Sequence, residues 1–300
     1  MKYLLSLLVV AAFSVPLAAQ NKVTRPKITG IDHVRIYVTD VDKSRQFYEK
    51  LVGVRLKGGM CFENPGRCFT VGWGEDQTIE LEQLPANANN LLAETALATD
   101  DIKRMHDYLA TQGVVAGRII KGKYAKYFEL HDPEGSPISF VQRTAIPIDD
   151  PGPGDPLVRM IHAGFVVHNR PAEEHFYEGI LGFRPYWHGG MKDDQTDWVS
   201  LQVPNGTDWV EFMVNVSPTA DHHTLGVMNH IAIGVKDIQA TKEQLIKNGW
   251  TPKEEPKLGR DGKWQLNLYD PDDTRVEFME FKPKEKPCCS EFTGTHPGPQ

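Results

Sequence analysis

Apolar and polar positions along this chain fall into short runs broken by glycine, proline and aspartate, and one order of runs recurs. Gly30–Val38 (GIDHVRIYV) is β-branched and apolar, as a buried strand should be. Asp40 stands where a helix N-cap belongs. Val41, Ser44, Phe47, Tyr48 and Leu51 then share one helical face, and Gly53 can close the helix. Strand patterns follow near Val54–Lys57, Cys68–Trp73 and Thr78–Leu84, completing a βαβββ unit.

The order then repeats. Leu92–Thr99 reads as a strand, Asp101–Gln112 as a helix, and Val114–Ile120, Tyr124–Leu130 and Pro137–Gln142 as strands. A third unit comprises Arg159–Val167, a helix opened by Pro171, and strands near Phe183–Trp187, Trp198–Val203 and Trp209–Val214. Ser217–Gly226 is a polar connection. Met228–Val235, the helix Asp237–Asn248, and strands near Thr251–Glu255, Lys263–Tyr269 and Arg275–Phe281 make the fourth.

The repetition extends to single residues. RQFYEKLVGVR at 45–55 matches EHFYEGILGFR at 174–184, an offset of 129 that also relates His33 to His162 and Glu82 to Glu211. Four units in two pairs predict an α+β fold of two tandem domains, each a curved mixed sheet around a cleft. Between them Ala145–Leu157 (AIPIDDPGPGDPL) cannot hold helix or sheet, so it reads as a linker. The domains are then 28–144 and 158–282, followed by a tail at 283–300 expected to be flexible.

Four residues in the second half carry the candidate chemistry: His162, Glu211, His230 and Glu277, spaced by 49, 19 and 47 positions. Each lies within an apolar strand segment, and imidazole nitrogen with carboxylate oxygen suits a divalent transition metal. A lone strand His or Glu is more often a satisfied half-buried polar group. Four at matching module positions point to a metal site.

Composition narrows the setting. The chain has 300 residues, 40% hydrophobic and 24% charged, with net charge −7 and no basic stripe, so nucleic acid is not an expected partner. Lys2, the apolar run Leu4–Val15 and Ala18-Ala19 read as a signal peptide over residues 1–19. Export to a periplasmic or secreted location follows, with no membrane anchor after cleavage. In that oxidising setting Cys61 and Cys68, flanking the turn FENPGR, are placed for a disulfide; two buried free thiols is the alternative. Cys288-Cys289 sits in the tail, outside the site.

Paired βαβββ modules with His on the first strand and Glu on the last resemble the vicinal oxygen chelate superfamily. Its members include glyoxalase I, extradiol dioxygenases, methylmalonyl-CoA epimerase and fosfomycin-resistance enzymes. The resemblance spans about residues 28–282. It implies one divalent metal (Fe, Mn, Ni or Zn) held by His162, Glu211, His230 and Glu277, a small-molecule substrate with neighbouring oxygens, and a monomer or homodimer. In the N-terminal half the equivalents are His33, Glu82 (with Glu80 two residues away as the alternative), Glu94 and Ser139. Serine is a poor ligand for such a metal, so that cleft reads as metal-free.

Three functions fit the resemblance. In a glyoxalase I-like isomerase or lyase, the metal polarises a substrate oxygen and Glu211 or Glu277 serves as catalytic base. In an extradiol dioxygenase, His162, His230 and Glu277 alone form the triad. Against that, Glu211 occupies a position oxygen would need, and GKWQLNLYDPDDTRVE offers Tyr269 but no histidine where extradiol enzymes carry one. The third reading is a non-catalytic binding protein. Trp187, His188, Trp198, Trp209, Met213, Trp264 and Tyr269 are candidates to line the cleft, and His222 and His223 to reach its mouth.

Overall fold

The structure, a computed structural model, describes residues 23–56, 67–71, 77–86, 88, 90–144 and 157–299. The signal-peptide segment, most of the linker and Cys61 lie outside them. Cys68 is disulfide-bonded.

All four predicted units form. The first is β1 (Ile28–Val38), α1 (Val41–Gln46), β2 (Arg55–Leu56), β3 (Cys68–Thr70) and β4 (Thr78–Gln83). The second is β5 (Leu92–Thr99), α2 (Ile102–Thr111), β6 (Ile120–Lys121), β7 (Ala125–His131) and β8 (Pro137–Arg143). The third is β9 (Leu157–Val166), α3 (Arg170–Glu174), β10 (Arg184–Gly189), β11 (Trp198–Gln202) and β12 (Trp209–Met213). After α4 (His222–Met228) come β13 (His230–Val235), α5 (Ile238–Lys247), β14 (Lys257–Leu258), β15 (Trp264–Tyr269) and β16 (Arg275–Glu280).

Local chemistry accounts for the helix starts. Asp40, Asp101, Asn169, Asp221 and Asp237 each cap a helix by accepting from backbone N–H groups of its first turn. Asp221 converts the expected polar connection into α4. The edge strands are shorter than predicted. Val114–Ile120 contributes only its last residue to β6, and Val115 is 89% exposed. Thr251–Glu255 forms no strand, with Pro252 inside the segment, Pro256 directly after it and then the two-residue β14. β-branched composition alone does not make a strand where nothing is buried.

Each half is an eight-stranded mixed sheet, ordered β2-β3-β4-β1-β5-β8-β7-β6 and β10-β11-β12-β9-β13-β16-β15-β14. The first strands of paired units run antiparallel at the centre, each flanked by the parallel last strand of its own unit. Candidate ligands therefore come from the four middle strands.

The cores are shared between the halves. Val34, Tyr48 and Phe69 of the first unit pack with Ile231, Leu266 and Phe278 of the fourth. Leu97, Phe128 and Phe140 of the second pack with Phe165, Tyr177 and Phe212 of the third. Asp208 is a polar tie between them: fully buried, it accepts from the Ile31 N–H at 3.0 Å and pairs with Arg159. Asp208→Ala leaves that N–H and the Arg159 guanidinium without their acceptor, and should lower unfolding free energy by about 3–5 kcal/mol in urea titrations.

The tail, expected to be flexible, lies against the C-terminal sheet. Thr293 N–H donates to Tyr186 O at 3.0 Å, Gln202 Nε2 to Thr295 O at 2.8 Å, and Trp187 Nε1 to Cys288 O at 3.2 Å. Phe292 stands 4.9 Å from the Tyr186 ring. Single long-range contacts hold it, and they leave no periodic trace in sequence. Cys288 and Cys289 are joined to each other.

Candidate metal centre

Strand register brings the predicted quartet together. One row across the sheet reads Trp209, His162, Ala232 and Glu277; the next reads Glu211, Gly164 and His230. Positions two apart point to the same face, so all four candidates address one cleft. The two rows owe their room to small residues. A Cβ on Gly164 would lie 2.0 Å from His230 Cε1.

The functional atoms nearly meet. His162 Nε2 and His230 Nε2 are 3.0 Å apart. Glu277 Oε2 is 3.4 Å from His162 Nε2 and 3.7 Å from His230 Nε2. Glu211 Oε2 is 4.0 Å and 3.5 Å from the same atoms. Donors each about 2.0–2.2 Å from a metal, at tetrahedral or octahedral angles, stand roughly 3–3.5 Å from one another. The set is thus close to the spacing an ion requires. His162, Glu211 and His230 have ligand atoms all within 4.8 Å of one another. Two neutral imidazoles and two carboxylates would balance a divalent charge.

The surroundings fix charge and orientation. His230 Nδ1 lies 2.9 Å from both Met228 O and Arg275 Nη2; the tautomer that donates to Met228 O is the one that leaves Nε2 a lone pair facing the cluster. Burial, with Arg275 next, lowers the His230 pKa and keeps the ring neutral. Burial opposes ionisation of Glu277, but the His162 contact and Arg275 outweigh it and bring its pKa down to about 2. Glu211 is lowered too, against burial, chiefly by His230 and His162. Ser200 Oγ donates to Glu211 Oε1 at 3.2 Å.

The N-terminal cleft is built differently. Register pairs Arg35 with Glu94 and with Glu80, where the C-terminal half pairs Gly164 with His230 and with Glu211. Glu80, not Glu82, therefore stands at the Glu211 position; Glu82 lies opposite Tyr37 and is more exposed. Arg35 Nη1 sits 2.9 Å from Glu94 Oε2, and its Nε 3.5 Å from Glu80 Oε2. A guanidinium fills the place of a cation there. Ser139 is buried in the cleft floor beside Ala96.

His33 joins that network through Asp32, 2.8 Å from its Nδ1. Burial works against its proton, yet Glu80, Asp32 and Glu94 raise its pKa from 6.5 to about 10. A raised pKa contributes stability that is complete below pH 6.5 and lost as pH climbs through about 10. Unfolding free energy should accordingly fall between about pH 7 and 10, and His33→Gln should flatten that slope.

The cleft of the C-terminal half holds a cavity of about 370 Å³, bordered by Trp187, Trp198, Trp209 and Met213 as expected, together with Glu211 and Glu277. Trp264 instead packs into the core, and the Tyr269 hydroxyl reaches Glu254. His188 binds the tail through its backbone, and His223 faces Asp273. Neither these nor His222 borders the cavity. Sequence reading missed Gly164, Arg275 and Lys263. Gly164 had a signal, since the offset of 129 pairs it with Arg35.

The sequence profile of the Glyoxalase/Bleomycin resistance protein/Dioxygenase superfamily matches residues 30–140 and 159–278. The uncharacterized protein YwbC of Bacillus subtilis is 30% identical over 125 residues, 38% of this chain and 97% of that protein. Among solved structures, homoprotocatechuate 2,3-dioxygenase of Brevibacterium fuscum, in complex with 3,4-dihydroxyphenylacetate, superposes with a TM-score of 0.64 at 18% identity, covering 91% of this chain and 84% of that one. The Arthrobacter globiformis homoprotocatechuate 2,3-dioxygenase gives 0.62 at 20%, covering 87% and 84%. The 2,3-dioxygenase LapB of Pseudomonas sp. KL28 gives 0.65 at 15%, covering 92% and 96%. At these identities the structural likeness is one of fold.

Proposed function

The chain belongs to the glyoxalase/bleomycin resistance protein/dioxygenase superfamily, and we propose that it is a metal-dependent enzyme moving a proton next to a carbonyl of a small substrate with vicinal oxygens. The observation that carries this is the approach of the Glu211 and Glu277 carboxylates, each within 4.0 Å of both Nε2 atoms, to a pair of imidazoles 3.0 Å apart. His162, His230, Glu211 and Glu277 would hold the metal. When bound, a divalent metal supplies Lewis-acid polarisation of the substrate's oxygens.

The protein's own residues divide the remaining work. Glu277 is kept ionised by His162 and Arg275, which makes it a weak base and a firm ligand. Glu211 is the more exposed carboxylate, with 13% of its side chain accessible against 5% for Glu277. It borders the cavity, Ser200 steadies its Oε1, and its Oε2, the oxygen turned toward the two Nε2 atoms, would accept a carbon-bound proton on loosening from the metal. The tryptophan walls exclude water from the reacting carbon. The disulfide-bonded cysteines support export to an oxidising compartment.

Ring cleavage of a catechol is the second reading, favoured by the four-unit likeness to the 2,3-dioxygenases. Against it, no histidine among the described residues that border the cavity stands beside the His162–His230 pair to act as acid or base. Two assays separate the readings: solvent deuterium uptake by 2-hydroxyacetophenone, and oxygen consumption with catechols. Proton transfer predicts deuterium uptake that drops at least about 100-fold in Glu211→Gln. Catechol-dependent oxygen uptake surviving Glu211→Gln would instead establish the dioxygenase.

A further inference from the structure

Lys263 is fully buried, and among the described residues its ammonium has no hydrogen-bond partner. The nearest carboxylate oxygen, Asp261 Oδ2, stands 3.8 Å away, beyond a hydrogen bond. Three rings surround the charge instead: Trp209 at 4.5 Å, Phe292 at 5.0 Å and Tyr186 at 5.4 Å from Nζ. Such a cage holds a cation by its π-faces and leaves its N–H donors unspent. Asp261 thus pairs with the charge at 3.8 Å but leaves the ammonium's N–H donors without an acceptor.

The cage adjoins the metal centre. All three rings, and Lys263 itself, line the same cavity as Glu211 and Glu277. Trp209 is shared, packing against His162 at 4.6 Å between ring centroids. The cavity's charges also favour an anion. Lys257, Arg260, Lys263 and Arg275 border it, against Glu211, Asp261 and Glu277. Lys257 and Arg260 are paired outside the lining with Glu254 and Asp193, so Lys263, Arg275 and a divalent ion stand against the three carboxylates, a small positive excess.

We propose that Lys263 is a substrate-recognition residue, and that the substrate is a small aromatic molecule carrying a carboxylate besides its paired oxygens. The proposal takes the proposed active site as its setting. The rings stack on the aromatic body, and the carboxylate accepts the hydrogen bonds that Lys263 lacks within the protein. Phe292 belongs to the tail, so the tail completes the subsite.

The test is equilibrium binding of benzoate, with benzamide as its neutral isostere, followed by quenching of the cavity tryptophans in the full chain. It is run on metal-loaded protein and repeated after chelator treatment. Benzoate should bind at least about 10-fold tighter than benzamide, and Lys263→Met should erase that preference without weakening benzamide. Lys263→Arg, which keeps the charge, should retain part of it and covers the case in which Lys263→Met fails to fold. Equal binding of the two probes, no benzoate binding up to its solubility, or a preference that persists in Lys263→Met would each overturn the proposal. Because the chelated protein is tested as well, the outcome stands apart from the metal reading. A benzoate preference in protein that takes up no metal would sink the enzyme proposal alone.

Discussion

Gly164→Ala should weaken metal binding by more than about 100-fold although it adds only one methyl group. The new Cβ would fall 2.0 Å from His230 Cε1, 2.4 Å from Nδ1 and 2.7 Å from Nε2. Neither partner can easily yield. β9 is hydrogen-bonded on both sides, to β12 and β13. The His230 ring lies against Met228 O and Arg275 Nη2, both at 2.9 Å from Nδ1. The ring must therefore leave the cluster. Metal affinity should fall by more than about 100-fold, beyond the usual effect of disturbing an outer-shell partner. Overpacking should add about 1–3 kcal/mol of destabilisation in the metal-stripped protein. Calorimetric metal titration with thermal melting of the stripped form measures both. Metal affinity in Gly164→Ala equal to that of the wild type would show that His230 is not a ligand.

The reverse experiment should create a site. The triple variant Arg35→Gly, Glu94→His and Ser139→Glu rebuilds in the N-terminal cleft what Gly164, His230 and Glu277 provide in the other half. Glu80 is already at the Glu211 position. His33 is already oriented by Asp32, which Arg143 holds through two hydrogen bonds of 2.7 and 2.8 Å. A carboxylate behind the imidazole is the usual second-layer support for a metal-binding histidine. Removing Arg35 takes out the cation now occupying the cleft, and removing Glu94 takes away one cause of the raised His33 pKa. Metal content should rise from about one to about two per chain. A folded triple variant that still binds one would mean the cleft's shape, not the Arg35–Glu94 exchange, excludes the ion.

Both predictions turn on residues whose importance depends on register. The sequence displayed the modules because hydrophobic alternation, capping aspartates and the offset of 129 are local or repeated signals. It displayed the quartet for the same reason: His162, Glu211, His230 and Glu277 recur at module positions. It could not display that Gly164 sits under His230, because an absent side chain has no pattern. It could not separate Glu80 from Glu82 either. The chain from first to last strand is two residues longer in the third unit than in the first, 47 from His162 to Trp209 against 45 from His33 to Thr78, so an offset taken from β1 and β9 fails at β4 and β12. Lys263 stayed hidden because its cage is drawn from three distant segments, around Tyr186, Trp209 and Phe292.

The central claim is that the C-terminal cleft holds one transition metal, and elemental analysis tests it most directly. Protein purified without chelators should carry about one iron, manganese, nickel or zinc per chain, and His230→Ala should carry almost none while remaining folded. Wild-type protein that holds no metal after reconstitution with each ion, or His230→Ala that retains a full equivalent, would contradict the account.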